Sequence, residues 1–274
     1  MGSNTSIQDA YNLCWKLKFV LEGNAAPSLL DSYSAERQPV GKQIVTRANK
    51  SIGDFPPIFE AVGLLSSTDP AEAKRNIEAR KAATPEGKAR RKKLYEAIAY
   101  KSFEFNCHGV EMNQRYASSA VVPDGTPQPA YQRDHELYYQ ATTWPGAHLP
   151  HVWVEHRGLR KSTLDLAGKG RFTLLTGIGG DGWMTAALAV AKKYGVALDV
   201  VTIGPAGCDA LDIYADWYRQ SEVDEDGCVL VRPDMYIAWR AKEAMSQSSE
   251  ALLGVFGKLL GRADAGAAGS IAAE

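Results

Sequence analysis

Cysteine is scarce in this sequence, and the four that occur are far apart. The 274 residues contain no C-x-x-C pair, and the thiols lie at Cys14, Cys107, Cys208 and Cys228. So few and so scattered thiols argue against a small disulfide-stapled scaffold and against a dithiol redox enzyme. They favour reduced cysteines in a cytoplasmic protein.

Long apolar runs and net charge are also missing. No stretch of about 18 apolar residues occurs, and the first residues lack the pattern of a signal peptide, so the sequence predicts no membrane partner and no secretion. The 31 Lys and Arg nearly balance the 32 Asp and Glu, giving a net charge of -1. The whole molecule therefore has no electrostatic bias towards nucleic acid.

Helical periodicity dominates the first hundred residues. A turn of small residues, 2–6, precedes a helix predicted from Ile7 to Leu21. Its apolar residues recur at helical spacing and predict one buried face; they are Ile7, Ala10, Leu13, Cys14, Leu17 and Val20 or Leu21. Residues 28–55 are predicted to form a helix that breaks near Pro39, because proline removes a helical hydrogen bond.

Residues 70–101 are predicted to form two helices. Thr84-Pro85-Glu86 divides them, since threonine caps a helix, proline suits its first turn and an acid follows. The Lys and Arg between 74 and 93 are interpreted as solvated helix faces, because no aromatic residues interleave them as in a nucleic-acid patch.

The rest of the chain changes from loops to an α/β pattern. Residues 102–160 predict short strands and long ordered loops without a periodic helix. Strand and helix patterns then follow in the order β-α-β-α-β-β-α, with a hairpin turning at Pro233-Asp234. This order predicts a thioredoxin-like layout, and the small, polar residues 261–274 predict a disordered tail.

The glycine run at 177–182, "GIGGDG", has two interpretations. It satisfies G-x-G-x-x-G between a strand and a helix, and Asp199 lies about 20 residues further on, as in a dinucleotide site. Asp199, however, falls inside a strand, and a hairpin follows where a doubly wound sheet needs more β-α units. We therefore favour a tight strand-to-helix turn.

Several titratable residues have a structural interpretation that we favour over a catalytic one. No cysteine stands at the helix start where a thioredoxin-like enzyme needs its thiolate, so we expect the fold without redox chemistry. A zinc site among the histidines would need a fourth ligand or an open water position, and their spacing across a loop and a strand gives no defined face. A Cys/His nucleophile lacks a visible third member. Glu36 with Arg37 suggests an ion pair that anchors a helix. The side chains of the zinc and nucleophile hypotheses are His148, His151, His156, Cys107 and His108.

The opening turn is the candidate binding site. Gly2, Ser3, Asn4 and Thr5 are small residues at a helix start, where backbone N–H groups lack helical partners and the helix dipole is positive. Such a place binds anions or groups that become anionic during a reaction. The alternative is an ordinary helix N-cap at the start of a chain.

Five stretches of the sequence resemble the FAD-dependent aromatic hydroxylases. The first is "GSNTSIQDAYNLCWKLKFVLEGNAAPSLLDSYSAERQPV". The others, "SSAVVPDGTPQP", "TTWPGAHLPHVW", "STLDLAGKGRFTLLTGIGG" and "CVLVRPDMYIAWR", resemble the phenol hydroxylase branch. Together they cover nearly the whole chain apart from the basic helices and the tail, and their number and order make the resemblance highly specific.

The resemblance implies a cofactor, a donor and a reaction. In the family this turn and helix lie against the pyrimidine end of the flavin, which assigns cofactor binding to Gly2, Ser3, Asn4 and Thr5 through backbone amides at Ser3 and Asn4. Helix-end amides would stabilise the negative charge of the reduced flavin without moving. NADPH would reduce FAD, and one oxygen atom of O₂ would enter a phenol, such as a chlorophenol, at the ortho position. The resemblance assigns no catalytic residue and no metal here.

The sequence departs from the family at its beginning. The family's first G-x-G-x-x-G unit, a later D-G motif and the G-D motif before the opening turn are not found. We therefore expect a C-terminal piece without the flavin-binding half. The expected fold is α/β, a remnant of a flavoprotein hydroxylase with long helices and short strands, followed by a thioredoxin-like domain.

The expected boundaries are 1–150 for the remnant, 151–260 for the domain without C-x-x-C and 261–274 for the tail. A second functional hypothesis is a non-catalytic module that mediates dimerisation or interaction and is inactive alone.

Overall fold

Long helices form the first part of the chain in the computed structural model, which describes residues 2–65 and 68–262. A short 3₁₀ turn, Pro27–Leu30, lies between the first two. The helices are α1 (Gly2–Leu21), α2 (Asp31–Gly53), α3 (Pro56–Val62), α4 (Pro70–Ala79), α5 (Pro85–Phe105) and α6 (His108–Met112).

Helix α1 differs from its prediction in its start and in its buried face. Residues 2–6 are its first turns, not a separate turn before Ile7. The side chains that it buries are Asn12, Trp15, Lys16 and Phe19. The predicted apolar face is largely exposed. Hydrophobic spacing predicts which residues share a face of a helix, but it does not predict whether the same chain supplies a surface that covers this face.

Helix α2 continues through Pro39, so the predicted break is wrong. Proline in a helix interior removes one hydrogen bond and crowds the preceding turn. Here Glu36, Arg37 and Val40 are buried on either side of it. Their packing stabilises α2 as one continuous helix across Pro39.

Helices α4 and α5 confirm the predicted division near residue 84. The backbone N–H of Gly87 donates to Thr84 Oγ1 at 3.1 Å, and that of Ala71 donates to Asp69 Oδ1 at 2.9 Å. Both caps satisfy N–H groups that a helix start leaves without partners. The short helix α6 corrects the prediction that residues 102–160 contain no helix, although the segment 113–152 is irregular.

The remaining elements form a seven-stranded sheet with helices, in the order β2-β1-β5-β4-β3-β6-β7. Strands β3 and β4, and β4 and β5, pair in parallel, and the other pairs are antiparallel. The strands are β1 (Trp153–His156), β2 (Leu159–Ser162), β3 (Phe172–Thr176), β4 (Leu198–Gly204), β5 (Ala210–Leu211), β6 (Cys228–Val231) and β7 (Ile237–Ala241). The helices are α7 (Thr163–Leu166), α8 (Asp181–Tyr194), α9 (Asp216–Gln220) and α10 (Ser248–Leu259).

The predicted order of strands and helices after residue 170 occurs as β3-α8-β4-α9-β6-β7-α10, with β5 added before α9. Arg232 N donates to Tyr236 O at 2.7 Å across the hairpin that contains Pro233-Asp234. The mixed α/β class is thereby confirmed. The likeness to thioredoxin itself stays a prediction, and the part of the tail from 263 to 274 lies outside the described residues.

One hydrophobic core joins α1 to the sheet. Trp15 and Phe19 pack edge-on against Phe172 of β3, with ring centroids 5.6 Å apart, and Phe256 of α10 packs on Phe172 at 5.1 Å. Ala120 belongs to the same core. The core therefore crosses the expected boundary at residue 150, and that division stays a prediction.

Within residues 2–65 and 68–262, no helix combines the length and the apolarity that a membrane crossing needs.

Candidate functional site

The N-terminal end of α1 is open on the surface. Ser3 and Asn4 are exposed, and Thr5 is half-buried. By helix geometry the backbone N–H groups of the first turn point outwards from this positive end. The structure therefore keeps Gly2, Ser3, Asn4 and Thr5 together at the start of α1, where Ser3 and Asn4 are accessible.

An apolar stripe runs along α1 from this end. Ile7 is 68% exposed and Leu21 is 83% exposed, values that are unusual for apolar residues at helical spacing. The stripe consists of Ile7, Ala10, Tyr11, Cys14, Leu17 and Leu21. Because a helix face of this kind is normally buried, it has the character of a contact surface.

Arg37 fixes the first two turns of α1. Its Nε donates to Asp9 Oδ1 at 2.7 Å, and its Nη2 donates to Gln8 Oε1 at 3.3 Å. Nη1 donates to Tyr116 Oη at 2.9 Å and to Gln114 Oε1 at 3.0 Å. One guanidinium, only 3% exposed, thus ties the open helix end to α2 and to the loop after α6.

A buried ion network lies beneath the middle of α1 and connects it to the hairpin of β6 and β7. Glu36 Oε2 accepts from Lys16 Nζ at 2.8 Å, and both Glu36 oxygens accept from Arg232, at 2.6 and 2.9 Å. Arg232 also donates to both oxygens of Asp234, at 2.9 and 2.6 Å. Asn12 Nδ2 donates to Glu36 at 2.7 Å. Two cations and two anions, all nearly inaccessible, balance one another.

The network shifts the pKa values of Glu36 and Lys16. Burial alone would raise the pKa of Glu36, but the charge and hydrogen bonds of Arg232 and the charge of Lys16 outweigh burial and lower it to about 2. Burial and the nearby Arg232 lower the pKa of Lys16 to about 8, although Glu36 opposes this. Glu36 is therefore ionised under all ordinary conditions.

Glu36 and Arg37 do not pair with each other, although both anchor α2 by ion pairs. Their partners are far away in sequence: Arg232 is 196 residues from Glu36, and Asp9 is 28 residues from Arg37. The sequence gives no sign of the other network members, because no local spacing signals a pairing across such separations. These members are Lys16, Asn12, Arg232 and Asp234.

We expect acid to weaken the fold through Glu36. Its folded pKa of about 2 is below its ordinary value of 4.5, so its stabilising contribution is complete above about pH 4.5 and is lost as the pH falls towards 2. The urea midpoint of the native chain, measured from pH 6 downwards, should fall more steeply in this window than that of Glu36→Gln. Parallel pH profiles would contradict the assignment.

The GIGGDG segment is a packed turn. A Cβ atom at Gly180 would stand 2.0 Å from Thr176 Oγ1, and one at Gly177 would stand 2.6 Å from Glu225 O. Gly179 has a φ of +85°, which only glycine adopts readily. Protein atoms therefore fill the space that a dinucleotide phosphate would need against these two glycines.

The histidines and cysteines occupy separate environments. His148 Nδ1 bonds to Leu149 O at 3.0 Å, His151 Nδ1 to Ser162 Oγ at 2.7 Å and His156 Nδ1 to Asp209 O at 2.8 Å. The described residues hold no group of three or more His, Cys, Asp or Glu arranged to bind a metal. All four cysteines are free, and the His108 ring contacts Tyr139.

Two curated enzymes resemble nearly all of this chain. It is 52% identical over 260 residues to 2,4-dichlorophenol 6-monooxygenase of Delftia acidovorans, covering 95% of the chain and 44% of the relative. It is 49% identical over 255 residues to phenol 2-monooxygenase of Pseudomonas sp. strain EST1001, covering 93% and 42%. The chain therefore spans less than half the length of these relatives.

A solved structure agrees with this similarity. The flavin-dependent monooxygenase PieE, crystallised with FAD and substrate, superposes with a TM-score of 0.86 at 48% identity, covering 94% of this chain and 44% of PieE. A family model described as the C-terminal region of aromatic-ring hydroxylases matches residues 142–263, and one described as an FAD-binding domain matches residues 1–48. The chain belongs to the family of FAD-dependent aromatic-ring hydroxylases.

Proposed function

We propose that this chain is the C-terminal portion of a FAD-dependent monooxygenase that hydroxylates phenols, including chlorophenols, at the ortho position. NADPH supplies the electrons in this proposal. The names of the relatives, a dichlorophenol 6-monooxygenase and a phenol 2-monooxygenase, support the substrate class. The mixed α/β fold and the match of residues 1–48 to an FAD-binding domain support the cofactor.

The observation that carries the proposal is the exposed apolar stripe of α1. The stripe lies within the segment that resembles an FAD-binding domain, while the opposite face of α1 is already fixed by the core and the ion network. The relatives are more than twice as long as the matched chain. In this proposal, an FAD-binding portion like that of the relatives packs on the stripe and covers Ile7, Leu17 and Leu21.

The first turn of α1 fits one edge of a flavin. Gly2 has no side chain to block a flat ring, and Ser3 and Asn4 are exposed. Backbone N–H groups at this positive helix end suit the N1 and C2 carbonyl edge, where reduction adds negative charge. FAD supplies the redox and oxygen chemistry when bound, and the backbone of Gly2, Ser3, Asn4 and Thr5 orients its pyrimidine edge.

Other partners follow from charge and chemistry. The basic surface of α4 and α5 forms local ion pairs, such as Lys92 with Glu96 at 3.8 Å, and it is proposed to face solvent and not nucleic acid. The four free thiols support a reducing compartment, the cytoplasm. A homodimer is the proposed assembly.

Complementation tests the proposal directly. The FAD-binding portion of the Delftia enzyme, ending where its match to this chain begins, is co-expressed with the chain. We expect the chain alone to be colourless and inactive, since it offers only one edge of a cofactor site. The purified pair should be yellow and should oxidise NADPH faster when 2,4-dichlorophenol is added.

The exposed stripe gives this experiment a matched control. Ile7 and Ile98 are both exposed isoleucines on helices, at 68% and 52%, but only Ile7 lies on the stripe. Ile7→Glu should weaken the association at least about tenfold, and Ile98→Glu should not. Failure of the two portions to associate, or a flavin-free dimer of this chain held by the stripe, would overturn the proposal in favour of a non-catalytic interaction module.

A further inference from the structure

A cavity of about 240 Å³ opens at the carboxyl ends of the parallel strands β3 and β4. Open α/β sheets bind ligands outside these strand ends. The cavity lies between the strand ends, the segment around α9 and residues 221–227. Its position and its concave shape are those of a small-molecule site.

Apolar side chains form most of the cavity wall. Leu175 and Ile203 come from the two strands, Trp217 from α9 and Val223 from the following loop. Trp217 is only 5% exposed, while Tyr218 beside it is 63% exposed. An engineered apolar cavity of about 150 Å³ binds benzene, so this one has room for a single aromatic ring with a short substituent.

The polar part of the lining carries charge of one sign. Asp212, Asp224 and Glu225 are the charged residues of the lining, and none of the described residues that line the cavity is Lys or Arg. Asp212 is already occupied, since it accepts the N–H groups of Asp216 and Tyr218 at 2.9 and 3.0 Å. Asp224 and Glu225 are exposed, so these two lining residues lie where the cavity meets solvent.

Neighbouring cations lie outside the cavity lining, and one of them, Lys242, is close enough to Asp224 to interact with its charge. Lys242, outside the lining, donates its ammonium group to the carbonyl of Glu222. Arg219, also outside the lining, pairs with Asp216 and donates to Tyr214 O at 2.9 Å. A ligand in the cavity therefore meets an apolar floor, aromatic rings and an anionic rim.

We propose that this cavity binds a one-ring aromatic amine in its cationic form. The ring lies against Leu175, Ile203 and Trp217, where burial of apolar surface stabilises it. The ammonium group lies towards Asp224 and Glu225, where carboxylates and aromatic faces both favour a cation. A phenolate or a carboxylate of equal size is repelled by the same rim. The inference rests on the cavity alone and is independent of the proposed monooxygenase function.

Three probes of one size test the charge preference. Benzylamine, benzyl alcohol and benzoate are titrated into the isotopically labelled 274-residue chain. Benzylamine should shift the indole resonance of Trp217 and the amide resonances of Gly204 and residues 221–227, and it should bind about tenfold more tightly than benzyl alcohol. Benzoate should bind more weakly than the alcohol. Equal binding of all three, or shifts elsewhere in the spectrum, would overturn the proposal.

Two kinds of variant separate the apolar and electrostatic contributions. Val223→Phe fills the cavity at a half-buried position and should abolish binding, whereas Leu188→Phe, at a 73% exposed position on α8, should not change it. Glu225→Gln with Asp224→Asn should remove the preference for benzylamine over benzyl alcohol, and the exposed Glu60→Gln should keep it. The double variant of Glu225 and Asp224, with its control Glu60→Gln, keeps the test decisive if Val223→Phe does not fold. If the double variant still bound benzylamine more tightly than benzyl alcohol, the proposed role of the two carboxylates would be refuted.

Discussion

Replacing Glu36 with glutamine is expected to lower the free energy of unfolding by about 3–5 kcal/mol. The native network balances Lys16 and Arg232 against Glu36 and Asp234, with the side chains of Glu36 and Arg232 fully buried. The glutamine side chain has nearly the same volume, so packing is kept, but one buried cation loses its counter-charge. Removing one partner of a buried pair is much more destabilising than removing a surface pair, because the remaining charge cannot reach water.

Urea unfolding of both proteins at pH 7 measures this effect. The matched control is Glu96→Gln, which removes a carboxylate from an exposed pair with Lys92 at 3.8 Å and should change stability by at most about 0.5 kcal/mol. If Glu36→Gln were no more destabilising than the control, the buried network would not hold α1 and α2 to the hairpin.

Phe172→Ala should be equally damaging, with a loss of about 3–5 kcal/mol, as for large aromatic residues deleted from cores. Phe172 is fully buried at the start of β3. Its ring contacts Trp15 and Phe19 of α1 on one side and Phe256 of α10 on another. The substitution therefore leaves a cavity where three separate segments of the chain meet.

The same substitution tests whether the chain unfolds as one unit. Circular dichroism should report loss of the helices, most of which lie in the N-terminal part, and tryptophan fluorescence should report loss of the core, with midpoints that move together. Phe105→Ala, at a 76% exposed position, is the matched control and should move neither. Midpoints that separate in Phe172→Ala would show that the chain does not unfold as one unit.

Features that depend on neighbours in sequence could be predicted well. The cap at Thr84, the strand before the glycine run and the hairpin around Pro233 follow from propensities and turn chemistry, and the structure contains all three. The family could be predicted because long motifs occur in the right order. The role of residues 2–5 as a flavin-binding edge remains a prediction.

Features that depend on distant partners could not be predicted. Spacing identified the apolar residues of α1, but the core covers Trp15 and Phe19 and not Ile7 or Leu17. Proline chemistry predicted a break in α2, yet tertiary contacts on both sides of Pro39 outweighed it. No local pattern marks Lys16 as buried, because its partner Glu36 lies 20 residues further along the chain.

The ion network beneath α1 also sets the rotation of that helix about its own axis. Each residue advances an α-helix by about 100°, so inserting one residue between Asn12 and Ser3 would turn the open tip by that angle while Lys16 stayed locked to Glu36. The number of residues between the start of α1 and Lys16 therefore sets the direction in which the helix start faces as well as its distance from the network. Changes in the length of α1 should be tolerated far less well than substitutions on its outer side.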